Sequence, residues 1–174
     1  MSHGQVRESR FSPPWWLKNP HLQTLWPVLM RRQEPLVFRP ERLELPDGDF
    51  VDLCWSGPAE GPLVVVLHGL QGSVRSPYAI GIMRALEAAG VRSVMMHFRG
   101  CSGEPNRLAR GYHSGDTGDL RFFLETLKQR EPDTPLAAVG YSLGGNVLLK
   151  YLGEEGGKAP LCAAAAVSVP LVLQ

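Results

Sequence analysis

The stretch Gly140-Tyr141-Ser142-Leu143-Gly144 decides the fold. It follows the short apolar segment Leu136–Val139, which predicts a strand, and it precedes Asn146–Leu152, which predicts a helix. A Gly-x-Ser-x-Gly sequence between a strand and a helix is typical of a nucleophile elbow, a tight turn that presents a serine hydroxyl above a sheet. We therefore predict that Ser142 is a catalytic nucleophile. The alternative is a glycine-rich turn without a catalytic role.

The geometry of such a turn gives its other residues separate roles. We expect Gly140 and Gly144 to be glycines because the turn brings two backbone segments together, where side chains would collide. We expect strained backbone at Ser142. The Leu143 N–H lies at the start of the following helix, where it has no helical partner, so it can donate to a developing oxyanion.

A second oxyanion donor is expected from the loop after an earlier strand. The sequence His68-Gly69-Leu70-Gln71-Gly72 follows Leu63–Leu67, a continuous apolar run typical of a strand buried on both faces. We assign the second donor to the backbone N–H of Leu70. The alternative is that these glycines only let the chain turn.

Strands and helices alternate along the rest of the chain. The predicted strands are Glu41–Leu45, Phe50–Trp55, Leu63–Leu67, Ser93–Phe98, Leu136–Val139 and Ala163–Val169, and the predicted helices are 76–89, one that begins at Asp116, and Asn146–Leu152. The first two strands flank Pro46-Asp47-Gly48-Asp49, a hairpin signal. A hairpin followed by repeated strand–helix units predicts an α/β fold with a mostly parallel sheet and helices on both faces. The weakly polar segment 159–173 is interpreted as a buried strand.

The chain is expected to divide into three regions. Residues 1–10 are predicted to be a disordered N-terminus and residues 11–40 an N-terminal arm, in which Asn19-Pro20 begins a short helix. Residues 41–174 form the α/β domain. The tryptophans Trp15, Trp16 and Trp26 are predicted to pack the arm on the domain, with an apolar substrate surface as the alternative.

Composition excludes several classes of function. The net charge of +1 argues against nucleic acid or an anionic membrane as a partner. The three cysteines have no C-x-x-C spacing, which argues against a disulfide framework or a zinc site and fits a reducing compartment. Residues 1–10 are polar and lack an apolar leader, and no segment is long enough to cross a bilayer. We expect a cytoplasmic protein that needs no metal or cofactor.

The sequence offers no partner that would activate Ser142. In this type of fold the order along the chain is serine, acid, histidine, and the segment after Gly144 contains neither Asp nor His. Because His68 precedes Ser142, we predict that it fixes its own loop by hydrogen bonding and is not the general base. His97 and His113 are rejected on the same ground.

Other candidate residues receive structural interpretations. Asp116 and Asp119 are predicted to lie in the first turn of a helix, where carboxylates satisfy free N–H groups and the helix dipole, so neither is taken as a displaced acid. The loop Arg99–Gly103 either lines the mouth of the site or is a tight connection, and both interpretations stay open. Cys101 has no adjacent base and is not taken as a nucleophile.

Five longer stretches together resemble the YheT-type esterase/lipase branch of the α/β-hydrolase superfamily. They are Asn19-Pro20-His21-Leu22-Gln23-Thr24, His68-Gly69-Leu70, Phe98-Arg99-Gly100-Cys101-Ser102-Gly103-Glu104-Pro105-Asn106, Gly111-Tyr112-His113-Ser114-Gly115-Asp116-Thr117 and Gly140-Tyr141-Ser142-Leu143-Gly144-Gly145-Asn146. The resemblance covers nearly the whole chain after residue 11. It implies a serine hydrolase of carboxylic esters, either acylglycerols or other short- to medium-chain acyl esters, with Ser142 as the nucleophile.

Members of this branch are nearly twice as long and carry the acid and histidine beyond the elbow. The resemblance therefore implies the N-terminal half of such an enzyme, truncated after about the sixth strand. We expect this chain to be inactive alone and to oligomerise or aggregate through Ala163–Val169, exposed as an apolar edge strand. Two alternatives stay open: a non-catalytic binding protein that keeps the elbow, and thioesterase, amidase or acyltransferase chemistry on the same fold.

Overall fold

The computed structural model describes residues 7–30 and 36–172, without the side chains of residues 27–29. The prediction of a disordered N-terminus concerns residues 1–10, of which residues 1–6 lie outside the described part. The chain divides into two compact units, residues 1–34 and 35–174.

The first unit contains a 3-10 helix, Trp15–Leu17, and helix α1, Pro20–Met30. The predicted helix start at Asn19-Pro20 is confirmed, because the His21 N–H donates to Asn19 Oδ1 at 2.8 Å. The rings of Trp16 and Trp26 meet edge to face, with centroids 4.9 Å apart. The packing of this arm on the domain stays a prediction.

The second unit is built on a six-stranded sheet in the order β1-β2-β4-β3-β5-β6. Its strands are β1 Arg39–Glu44, β2 Phe50–Ser56, β3 Leu63–Leu67, β4 Arg92–Met96, β5 Leu136–Tyr141 and β6 Ala163–Val167. Strand β2 pairs antiparallel with β1 and with β4, and the other pairs are parallel. The predicted hairpin and mostly parallel sheet are both confirmed.

Helices cover both faces of this sheet, as predicted. Helix α2, Pro77–Ala88, packs Met83 into one buried cluster with Val66 of β3. Helices α3, Gly118–Arg130, and α4, Leu143–Glu155, pack into the other cluster with Val65. The adjacent valines face opposite sides because side chains alternate along a strand, which explains why β3 is apolar throughout.

Two predicted helix starts differ from the structure. Helix α3 begins at Gly118, two residues after Asp116, whose Oδ1 accepts the Gly118 N–H at 3.3 Å. Helix α4 begins at Leu143, directly after the elbow serine, as the elbow predicted; the range Asn146–Leu152 placed its start three residues too late. The glycines at 144 and 145 made this first turn resemble a loop in the sequence.

The interpretation of segment 159–173 as a buried strand is wrong. Strand β6 lies at the edge of the sheet and is exposed along its whole length. It also ends at Val167 rather than Val169, because Ser168 leaves the extended conformation with φ 53°. The expectation of an exposed edge strand at this position is confirmed.

Candidate active site

Ser142 is the single residue between the end of β5 and the start of α4. Its φ of 49° and ψ of −117° lie in a region that side chains rarely adopt, at a cost of about 1–3 kcal/mol. Two hydrogen bonds hold it there: the Ser142 N–H donates to Val167 O at 2.9 Å, and the Asn146 N–H donates to Ser142 O at 3.1 Å. The predicted tight and strained turn is present.

Both elbow glycines are sterically required. A Cβ at position 140 would lie 2.5 Å from Gly144 O, and a Cβ at position 144 would lie 2.5 Å from His68 O. The expected close approach of two backbone segments is therefore confirmed. At position 144, however, the opposing backbone is the end of β3 and not residue 140.

The loop after β3 forms a tight turn beside the serine. The Gly72 N–H donates to Gly69 O at 3.0 Å, and Gln71 at the third position has φ 51°, as a type II turn requires. A Cβ built on Gly69 would lie 3.3 Å from Cβ of Ser142. We call residues Gly69–Gly72 the oxyanion turn, after the role predicted for Leu70.

Three of the four N–H groups in the oxyanion turn are already occupied. That of Gly69 donates to the Tyr78 hydroxyl at 3.0 Å, that of Gln71 donates to the Tyr112 hydroxyl at 2.8 Å, and that of Gly72 closes the turn. Within residues 7–30 and 36–172, no hydrogen bond uses the Leu70 N–H. The Leu143 N–H occupies the first position of α4, where no helical acceptor exists.

His68 has both ring nitrogens committed to backbone. The Phe98 N–H donates to Nε2 at 3.0 Å, so this nitrogen carries the lone pair, and Nδ1–H donates to Gly69 O at 2.6 Å. Burial lowers the pKa of His68 to about 4, which keeps the ring neutral. The predicted loop-fixing role is confirmed.

This bond also orients the predicted oxyanion donor. In a trans peptide the carbonyl of one residue and the N–H of the next point in opposite directions. By holding Gly69 O, the imidazole of His68 therefore directs the Leu70 N–H the other way.

His97 repeats the arrangement from the neighbouring strand. The Val74 N–H donates to His97 Nε2 at 3.1 Å, and Nδ1 contacts Asp52 O at 3.1 Å. Burial lowers its pKa as well. His68 follows β3 and binds the loop after β4, whereas His97 follows β4 and binds the loop after β3. His113 Nδ1 accepts the Gly115 N–H at 3.1 Å, so it too is used in a local backbone contact.

Asp119 differs from its expected role. It lies in the first turn of α3, but its carboxylate binds the guanidinium of Arg99 at 2.7 and 2.8 Å instead of capping N–H groups. Arg99 is buried and also contacts Asp49 at 3.0 Å and Asp47 at 2.8 Å. A buried cation with this many anionic partners anchors the loop that follows β4.

Residues Cys101–Gly103 line a cleft of about 750 Å³ that does not include Ser142, so both interpretations of the 99–103 loop stay open. His97, Val74 and Cys54 form other parts of the cleft wall. In the described part of the chain, no three His, Cys, Asp or Glu side chains lie together as metal ligands would.

Sequence reasoning missed the two tyrosines that bind the oxyanion turn. Tyr112 lies within one of the stretches that carry the family resemblance, which was a usable signal. Nothing in the local pattern around Tyr78 distinguishes it from an ordinary residue on a helix surface.

The strained serine after β5, the glycine turn beside it and the mixed sheet define an α/β hydrolase. The model of the alpha/beta hydrolase fold family matches residues 62–170, and the chain belongs to that family. The Escherichia coli (strain K12) protein named "Putative esterase YheT" is 52% identical over 170 residues, which are 95% of this chain and 50% of that protein. The resemblance to the YheT-type branch is therefore confirmed.

Two further comparisons, with a named esterase and with a solved structure, agree with this family assignment. The Saccharomyces cerevisiae "Medium-chain fatty acid ethyl ester synthase/esterase 2" is 43% identical over 113 residues, 63% of this chain and 24% of that protein. The solved Pyrococcus furiosus esterase Pf2001 matches with a TM-score of 0.65 over 97% of this chain and 60% of that one; at 20% identity this shows likeness of fold alone. The chain spans about half the length of the first curated relatives it matches, or less. None of the helices described here is long and apolar enough to cross a membrane.

Proposed function

We propose that this chain provides the nucleophile and the oxyanion hole of a serine esterase. One observation carries the proposal: Ser142, in its strained turn, lies beside a second turn in which the Leu70 N–H has no partner. A strained serine next to two available N–H groups is the arrangement that acyl transfer requires.

In the proposed reaction, Ser142 Oγ attacks the ester carbonyl carbon and loses its proton to a general base. The carbonyl electron pair moves to oxygen, and the N–H groups of Leu70 and Leu143 donate to this oxyanion. The alcohol leaves with the proton, and an acyl ester remains on Ser142. Water, activated by the same base, then releases the carboxylic acid and restores the hydroxyl.

We infer that the base and its acid partner lie outside these 174 residues. Both ring nitrogens of His68 and of His97 are occupied by backbone partners, and no His or Asp follows Gly144 in the sequence. For substrates, we propose short- to medium-chain acyl esters or acylglycerols. The name of the yeast relative, which specifies medium-chain fatty acid ethyl esters, supports this class.

Labelling by a fluorophosphonate tests the proposal. The 174-residue chain is compared with the same chain joined to the part of the E. coli relative that it does not cover. We expect phosphonylation of Ser142 in the joined protein, labelling at least ~10³-fold slower in the chain alone, and none in Ser142→Ala. Ser102→Ala is the matched control and should label normally.

The outcomes also separate the alternatives. A joined, folded protein that is not labelled at Ser142 supports the non-catalytic binding protein, and labelling that survives Ser142→Ala contradicts the proposed nucleophile. Thioesterase or amidase chemistry is favoured if the joined enzyme cleaves acyl thioesters or amides with a higher kcat/KM than p-nitrophenyl esters of the same acyl chain. We further propose that the free edge of β6 lets copies of this chain associate.

A further inference from the structure

We propose that Tyr112 is a positioning residue for the oxyanion turn: its hydroxyl accepts the Gln71 N–H and fixes the turn on the side of Leu70 that follows it in the chain, whereas His68 orients the peptide that precedes Leu70. The inference rests on the proposed esterase function and assigns that site a residue outside the elbow and the turn. Its starting point is the 2.8 Å bond between the Gln71 N–H and the Tyr112 hydroxyl, which joins positions far apart in the chain.

The Tyr112 side chain is fixed on several sides. Its ring stacks on Phe98 with centroids 5.1 Å apart and planes within 7°. It lies nearly perpendicular to the ring of His68, with centroids 6.4 Å apart. Tyr112 therefore lies against the same histidine that orients the Leu70 N–H.

The oxyanion turn needs such a partner because its third residue is not glycine. Gln71 has φ 51°, a conformation that side chains disfavour. A flip of the peptide between Leu70 and Gln71 would give a type I turn, in which the third residue has the ordinary φ near −90°. This flip would turn the Gln71 N–H away from Tyr112, so the hydroxyl stabilises the observed form against it.

The segment that carries Tyr112 is anchored at several points although it has no helix or strand. It runs from the end of β4 to the start of α3. Near its start, the buried Arg99 binds Asp49 and Asp119. Asn106 Nδ2 donates to Phe50 O at 2.7 Å, and Arg110 binds Asp116 at 2.8 Å. These bonds hold the hydroxyl of Tyr112 at a fixed place, as a preorganised site requires.

The first test uses the 174-residue chain and measures amide proton exchange by NMR. In Tyr112→Phe we expect exchange of the Gln71 amide to become roughly tenfold faster, because the amide loses its acceptor. Tyr151→Phe removes a hydroxyl from a buried tyrosine on α4 and is the matched control; it should leave the Gln71 amide unchanged. Equal exchange in the wild type and in Tyr112→Phe overturns the inference.

The second test uses the joined enzyme with a p-nitrophenyl ester. A misplaced oxyanion donor affects the transition state more than substrate binding, so Tyr112→Phe should lower kcat roughly tenfold and leave KM within about twofold. Adding Gln71→Gly should restore kcat to within about threefold, because glycine adopts positive φ without strain and no longer needs the tyrosine. A merely structural role would not give this rescue.

The outcomes keep the two proposals apart. If Ser142→Ala abolishes hydrolysis but Tyr112→Phe does not lower kcat, the inference fails and the proposed function stands. If no form hydrolyses esters at Ser142, the proposed function fails, whereas the amide exchange still decides whether Tyr112 holds the turn. If Tyr112→Phe does not fold alone, the double variant with Gln71→Gly decides: wild-type-like kcat supports the inference, and failure to fold overturns it.

Discussion

Two glycines of helix α4 show how differently one residue type is used. At Gly144 an added Cβ would meet His68 O at 2.5 Å and Leu67 O at 2.8 Å, which are backbone atoms that cannot move aside cheaply. At Gly153, on the same helix, nothing lies within 4 Å. The first glycine is required by contact between the elbow and β3, whereas the second only adds flexibility to the unfolded chain.

Alanine at these two positions should have opposite effects on the free energy of unfolding. We expect Gly144→Ala to lower it by about 2–3 kcal/mol through overpacking, and Gly153→Ala to raise it by about 0.5–1 kcal/mol through helix propensity. Urea denaturation of both variants measures the difference. Equal effects of the two substitutions would contradict the steric role of Gly144.

At the scale of elements, local patterns predicted the strands and the elbow well. The apolar run of β3 and the Gly-x-Ser-x-Gly turn depend on residues adjacent in sequence, so their structures could be inferred without the fold. The bonds of Asp119 with Arg99 and of Gln71 with Tyr112 could not, because they join residues 20 and 41 positions apart. The buried interpretation of β6 failed because an alanine-rich pattern does not reveal whether a strand has one neighbour or two.

Strand β6 is the element most exposed to unwanted pairing. Among the described residues its backbone pairs only with β5, and all five of its residues are exposed. Its free side is therefore a template for another strand. We therefore expect the 174-residue chain to form dimers or larger species whose proportion rises with protein concentration. Ala165→Lys should shift this equilibrium toward monomer, because a charge on an edge strand opposes pairing.

Sedimentation velocity measures this association over a range of protein concentrations. Gln129→Lys adds the same charge on an exposed position of α3 and should leave the distribution unchanged. Association that responds equally to both lysines would show that net charge, and not the edge of β6, controls it.

At the scale of the whole molecule, the two buried histidines make stability depend on pH. The pKa of His68 is about 4 in the folded chain, against an ordinary value of 6.5, and that of His97 is also lowered. Between pH 6.5 and pH 4 the unfolded chain binds more protons at His68 than the folded chain does, so protonation favours unfolding. Stability contributed by the neutral rings is complete above about pH 6.5 and is lost as pH falls toward 4.

Unfolding by urea at pH 5, 6 and 7 tests this dependence. The free energy of unfolding should fall with decreasing pH, and His68→Gln should reduce the slope by about 1 kcal/mol per pH unit, since one titrating group is removed. Asp49, whose pKa is about 2 in the folded chain, stays ionised throughout this range. An unchanged slope in His68→Gln would contradict a neutral, buried imidazole.

The hydrogen bond from the Ser142 N–H to Val167 O continues the pairing of β5 with the edge strand β6 into the elbow turn. The carbonyl of the last residue of β6 therefore helps to hold Ser142 in its strained conformation. Displacement of β6 from the sheet breaks this bond, so the pairing of the edge strand and the conformation of the elbow serine are thermodynamically linked.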